Sequence, residues 1–284
     1  MMYIYVLFIG VLVFFFFYKW LDGKFFSLFT NSKKNINFSP EDLRMVYEPV
    51  YFKSQDGIEL SGWFIPKLDG ESDTTVIVGH GAGENKSDAL KQTSFLAKYF
   101  NLLYFDFRAC GESKGKICSY GFYESRDILG AYDFLKTVKI EFARKVGLYS
   151  SSCHSFAGVD TFCKTDIDFL ILKSPSINFF KFLRKYAKEK IKIPFLPEFF
   201  IKKYLKTKDF NLELNFSSNN LNRPIIFIYG DKDEFITLEE FETFYNSVNL
   251  PSKNKILLVG GSHFNIPDIA YFSEKLIENL NLIN

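Results

Sequence analysis

The sequence predicts an α/β fold: a mostly parallel, doubly wound sheet with a helical cap insertion and an N-terminal transmembrane helix. Three observations lead there. Short apolar runs rich in β-branched and aromatic residues, at 76–79, 102–105, 146–149, 169–172, 225–229 and 256–259, alternate with helix-like stretches. Such alternation implies parallel strands covered by helices on both faces. The rhythm breaks once, between 172 and 225, where a Phe- and Lys-rich stretch replaces the strand pattern. Finally, the chain opens on an apolar run that carries no charge before Lys19.

About 18 apolar residues at a rise of about 1.5 Å span roughly 27 Å, close to the thickness of a bilayer core. A cleaved signal peptide would show a basic start and a small-residue cleavage site, and this segment shows neither. Residues 1–21 are therefore expected as a transmembrane anchor, with the polar stretch 22–40 as a linker to a domain over 41–284. Lys19, Lys24, Lys33 and Lys34 come after the apolar run and none precedes it. That asymmetry places the domain on the cytoplasmic side of the membrane.

Within the domain, strand-like runs at 45–53 and 59–66 flank the turn Gln55-Asp56-Gly57. Helical stretches are expected at 87–99, 123–136 and 239–246. The break at about 176–221 reads as the cap, laid over the strand ends. Between 181 and 209 it carries ten Lys or Arg and three acids, whereas the whole chain has a net charge of only +2. Interleaved basic and aromatic residues suit either a solvated helix pair or a face resting on anionic lipid. A hydrophobic content of 47% excludes a disordered chain. The near-neutral total gives no reason to expect a nucleic-acid partner. Cys110, Cys118, Cys153 and Cys163 form no CxxC pair, so free thiols are expected. The histidines do not fall at ligand spacing near them, so no metal is expected.

Ligands of parallel sheets bind beyond the carboxyl ends of the strands, so the residues after each strand carry the chemistry. After 76–79 comes His80-Gly81-Ala82-Gly83, whose small residues can expose backbone N–H groups to an oxyanion. After 146–149 comes Ser150-Ser151-Ser152-Cys153-His154-Ser155, and after 225–229 comes Gly230-Asp231-Lys232-Asp233-Glu234. After 256–259 comes Gly260-Gly261-Ser262-His263. A serine hydroxyl needs a base before it attacks. Of three histidines, His80 belongs to the glycine-rich loop and His154 to the serine turn, which leaves His263.

In this order the motifs resemble the alpha/beta-hydrolase superfamily over most of the chain. Asp106-Phe107-Arg108-Ala109-Cys110-Gly111-Glu112-Ser113 resembles its Asp-x-Arg-Gly-x-Gly-x-Ser loop, with Ala109 in place of the first glycine. There Asp106 and Arg108 are expected to hold loops rather than react. The serine turn stands where the family keeps its Gly-x-Ser-x-Gly nucleophile elbow, with Ser150 and His154 replacing the glycines. The resemblance implies a serine hydrolase with Ser152 as nucleophile, Asp233 as acid, His263 as base and the amides of Ala82 and Cys153 as oxyanion donors. Ser155 is an alternative nucleophile, since His154-Ser155-Phe156-Ala157-Gly158 resembles the family's His-Ser-x-Gly-Gly form. The Cys153 thiol is a further rival.

Asp56-Gly57, Gly62-Trp63, Gly121, Glu124 and Asp127 resemble a membrane-anchored branch of acyl hydrolases and serine-peptidase-like proteins. That likeness implies cleavage of an ester, thioester or amide, on an acyl or lipid-like substrate, with no metal and no organic cofactor. Serine peptidase chemistry and a non-catalytic binding module are the alternatives.

Overall fold

Alternate residues along a strand face opposite sides of a sheet, and in the central strands both sets are apolar. The protein is seen in a computed structural model that describes residues 2–30, 34–176, 179–192, 197–207, 221–250 and 253–281. Its strands are β1 (Glu48–Lys53), β2 (Glu59–Ile65), β3 (Thr74–Val78), β4 (Asn101–Phe105), β5 (Lys145–Ser151), β6 (Phe169–Lys173), β7 (Ile225–Gly230) and β8 (Lys253–Leu258). They form one sheet in the order β1-β2-β4-β3-β5-β6-β7-β8. β1 and β2 are an antiparallel hairpin, and β2 also runs antiparallel to β4. Every other pairing is parallel. The helices are α1 (Met2–Thr30), α2 (Lys86–Thr93), α3 (Glu124–Val138), α4 (Ser155–Lys164), α5 (Phe179–Lys190), α6 (Glu198–Thr207), α7 (Leu238–Ser247) and α8 (Ile269–Asn281).

The alternation divides the core in two. Ile77, Leu103, Phe105, Leu148, Leu170, Leu172 and Phe227 join Ala131 and Leu135 of α3, Ala157 and Phe162 of α4, and Phe241 of α7. The intervening Val76, Val78, Leu102, Tyr104, Tyr149, Ile171, Ile226 and Ile228 join Leu90 of α2 and Phe272 and Leu276 of α8. Each large side chain so buried contributes about 1.5–3 kcal/mol. Two helix starts are capped reciprocally. Asn85 accepts from Ser87 and Asp88 while Asp88 accepts the Asn85 N–H, and Thr237 and Glu240 do the same for α7.

The N-terminus departs from expectation. Among the described residues no helix is long and apolar enough to cross a membrane, so the transmembrane helix expected at 1–21 is withdrawn. The physical reason lies at its far end. The helix does not stop at a polar linker but runs on to Thr30, and its last turns bury Phe25, Leu28 and Phe29 in the core. Cys118 N–H donates to the Phe29 carbonyl at 2.8 Å. The first part of α1 stays apolar and exposed, with Tyr3 at 84%, Leu7 at 72% and Phe16 at 66%. Of the region expected as the cap, α5 and α6 are helical. Residues 177–178, 193–196 and 208–220 lie outside those described. α5 buries Phe182, Leu183, Tyr186 and Ala187.

Candidate active site

Three strand ends converge. β5 ends at Ser151, and Ser152 comes next with φ of 56°. That left-handed backbone costs a non-glycine residue about 1–3 kcal/mol, and it turns the side chain out of the sheet. The Ser152 Oγ lies 2.7 Å from His263 Nε2, and His263 Nδ1 lies 3.0 Å from each Asp233 oxygen. The carboxylate therefore holds the proton on Nδ1 and leaves Nε2 free to accept from the hydroxyl.

Burial pushes the Asp233 carboxyl up. The His263 hydrogen bond and charge, and the Ile236 N–H, outweigh it, so its pKa ends below the ordinary value. The Phe235 and Ile236 amides donate to Oδ1 at 2.9 Å each. Ser174, at the end of β6, lies close enough to favour the charged carboxylate without forming a well-aligned hydrogen bond.

The elbow tolerates its two unusual residues for reasons distant in sequence. A Cβ at Gly158 in α4 would sit 2.7 Å from the Ser150 Cβ and 2.8 Å from its Oγ, so the space that a glycine at 150 would leave is provided by the helix instead. Ser150 Oγ donates to the His154 carbonyl at 2.8 Å. His154 is fully buried, with Nδ1 donating to the His80 carbonyl at 2.7 Å and its ring 4.3 Å from that of Phe107.

The rival nucleophiles are placed differently. Ser155 opens α4, and its Oγ is buried with no hydrogen-bond partner among the described residues. Burial raises the Cys153 thiol pKa well above its ordinary value, which disfavours a thiolate. The glycine-rich loop does approach Ser152: a Cβ on Gly81 would be 3.6 Å from that of Ser152. In that loop Gly81 N–H is spent on Glu84 Oε2 at 2.7 Å, whereas Ala82 N–H makes no hydrogen bond among the described residues. A cavity of about 470 Å³ opens beside Ala82, Gly83, Tyr186 and Phe264. α5 leans over this region through Phe182, 6.5 Å from Phe235, whose ring lies 4.9 Å from His263.

Asp106 and Arg108 hold loops. Asp106 accepts from the Lys86 and Glu112 amides and pairs with Lys86 Nζ at 3.0 Å. Arg108 bridges Asp56 and Asp127 at 2.7 Å each. Sequence reasoning missed the residues that fix the His263 loop. Lys173 Nζ donates to the His263 carbonyl at 2.7 Å, and Glu234 Oε2 accepts the His263 N–H at 3.2 Å. A lysine closing the apolar strand Phe169–Lys173 was the available signal, because an ammonium is buried only where something accepts its hydrogen bonds.

This strand order and site define the class: the chain has the alpha/beta-hydrolase fold. Comparison with known proteins agrees. The esterase Pf2001 of Pyrococcus furiosus superposes with a TM-score of 0.73 at 25% identity, covering 88% of this chain and 98% of that one. XC6422 of Xanthomonas campestris, an α/β serine hydrolase without a lid, superposes with a TM-score of 0.60 at 14% identity, over 83% and 94% of the two chains. Among curated relatives, YqkD of Bacillus subtilis is 26% identical over 218 residues, 73% of this chain and 70% of its own. No family model matches the chain. The solved neighbours speak for the superfamily, whereas the likeness to a membrane-anchored branch rests on sequence motifs alone.

Proposed function

We propose that the chain is a serine hydrolase that cleaves an acyl ester, thioester or amide through an acyl-enzyme. His263 takes the Ser152 proton as Oγ attacks the carbonyl carbon, and Asp233 stabilises the imidazolium. The N–H groups of Ala82 and Cys153 hold the tetrahedral oxyanion, each such donor being worth about 10²–10³-fold in rate. His263 then protonates the leaving group. A water deprotonated by the same imidazole attacks the acyl carbonyl, and the carboxylic acid and free Ser152 are released. The observation that carries this reading is the continuous hydrogen-bonded line from Ser152 Oγ through His263 to Asp233. The Pyrococcus furiosus neighbour is an esterase, which favours ester over amide.

The test is hydrolysis of p-nitrophenyl esters of graded acyl length by purified protein. Turnover is expected, with loss in Ser152→Ala and in His263→Ala. Absence of turnover on esters and thioesters by folded protein would favour the non-catalytic binding module.

A specific observation adds a second element. The exposed apolar residues of α1, with Lys19 and Lys24 after them, suit contact with an anionic lipid surface, from which an acyl substrate could be drawn. Sedimentation with anionic vesicles is expected to carry the protein down, and Leu7→Glu with Phe16→Glu to release it. Equal recovery of both proteins in the supernatant would remove this element.

A further inference from the structure

Behind the elbow, Cys118 from the loop after β4, Glu124 from the first turn of α3 and His154 from the elbow turn come together. Their Sγ, carboxylate oxygen and ring nitrogen all lie within 4.8 Å of one another, and all three residues are buried. The imidazole is already oriented as a ligand. Its Nδ1–H is given to the His80 carbonyl at 2.7 Å, which leaves the Nε2 lone pair 4.0 Å from Cys118 Sγ. Histidines that bind metals characteristically donate their other ring N–H in this way.

Glu124 is equally fixed. It accepts from Ser119 N–H at 2.6 Å, Ser119 Oγ at 2.6 Å and Gly121 N–H at 2.7 Å. Tyr120 and Gly121, with φ of 55° and 116°, wrap the loop around its carboxylate. Charge points the same way. Arg108 is near enough to feel the Glu124 charge, but its salt bridges go to Asp56 and Asp127. The buried Glu124 carboxylate therefore has no ion-pair partner among the described residues, and a further cation would offset its charge.

We propose that Cys118, His154 and Glu124 form a three-ligand site for a divalent metal of the zinc class, with the fourth position left to a small exogenous ligand. Tetrahedral zinc bonds of about 2.0–2.3 Å put neighbouring ligand atoms roughly 3.5 Å apart. The 4.0 Å sulfur–nitrogen pair is near that value, and metal binding would draw the three ligand atoms in from the 4.8 Å within which they lie. Thiolate and imidazole select zinc-class ions over magnesium or calcium. Binding displaces the Cys118 thiol proton to solvent and involves no redox change. The bound ion would stiffen the elbow from behind. His154 lies two residues after Ser152, and a Cβ on Gly121 would sit 2.8 Å from the Cys153 carbonyl. The site rests on the fold and is independent of whether Ser152 reacts.

The experiment is titration of the purified full-length chain, first stripped with a chelator, with Co²⁺ and then Zn²⁺. One equivalent of Co²⁺ is expected to give a thiolate-to-cobalt charge-transfer band with tetrahedral d–d absorption. Zinc should quench that signal and raise Tm. Cys118→Ser and His154→Gln should lose the signal, and Cys163→Ser, at a partly exposed thiol, should keep it. Should either site variant misfold, the wild-type titration decides alone. No band and no zinc retained through desalting overturn the proposal, as does a band that depends on Cys163 instead of Cys118.

Discussion

Replacing Gly158 with alanine tests how this elbow holds its serine. The added Cβ would meet Ser150 at 2.7 Å from its Cβ and 2.8 Å from its Oγ. Both contacts lie close to the backbone of a central strand and have little room to yield. Overpacking of this kind costs about 1–3 kcal/mol, offset by about 1 kcal/mol of improved helix propensity. A net destabilisation of about 0–2 kcal/mol is expected. In a Ser150→Gly background the clash disappears, and Gly158→Ala should become neutral or mildly stabilising. Ser150→Gly alone should lose about 1 kcal/mol with the hydrogen bond to the His154 carbonyl.

Urea denaturation of the four proteins gives the coupling energy directly, expected at about 1–3 kcal/mol. Activity should change in parallel, because a shift of β5 against α4 moves Ser152 away from His263. Additive effects of the two substitutions would refute the idea that helix space compensates for Ser150.

Asp233→Asn should lower kcat on the order of 10⁴-fold with the fold intact, because an amide no longer enforces the proton on Nδ1; steady-state kinetics with near-UV circular dichroism checks it, and a small loss would count against the acid assignment. Lys173→Met should lower kcat roughly 10–10²-fold with little change in KM, since the His263 carbonyl loses its 2.7 Å partner; unchanged kcat would show that the loop is held without it. Stability should also depend on pH through His80. Burial, then His154, lowers its pKa to about 3, against an unfolded value of about 6.5. As pH falls below about 6.5 the unfolded chain takes up a proton that the native state refuses until about pH 3. Stability is then lost across that window, by up to roughly 4–5 kcal/mol. Urea midpoints at pH 7, 6, 5 and 4 should fall more steeply for wild type than for His80→Asn; equal slopes would contradict the assignment.

The features legible in the sequence are those that a short stretch of chain encodes. The apolar runs that precede His80, Asp106, Ser150, Lys173, Gly230 and Gly260 are local signals, and they recover the parallel strands β3 to β8 and the chain order of the site residues. The hairpin β1–β2 is equally visible around Asp56-Gly57. Two hydroxyls, Ser152 and Ser155, come after the same strand, and only the reach of an imidazole 111 residues away from Ser152 distinguishes them. The odd residues Ser150 and His154 look like decay because their compensation lies elsewhere, in Gly158 and in the carbonyl of His80. The first apolar segment suggests an anchor because hydropathy does not report where a helix ends, and this one runs into the core at Phe25 and Phe29. The Cys118, Glu124 and His154 cluster has no signature in ligand spacing along the chain, because three separate elements supply it.

The measurement that bears most directly on the hydrolase reading is labelling of the purified protein with a fluorophosphonate, with the modified residue located by peptide mass spectrometry. One label on Ser152 is expected, lost in Ser152→Ala and in His263→Ala and retained in Ser155→Ala. A folded protein that takes no label, or one labelled at Ser155 with Ser152 untouched, would contradict it.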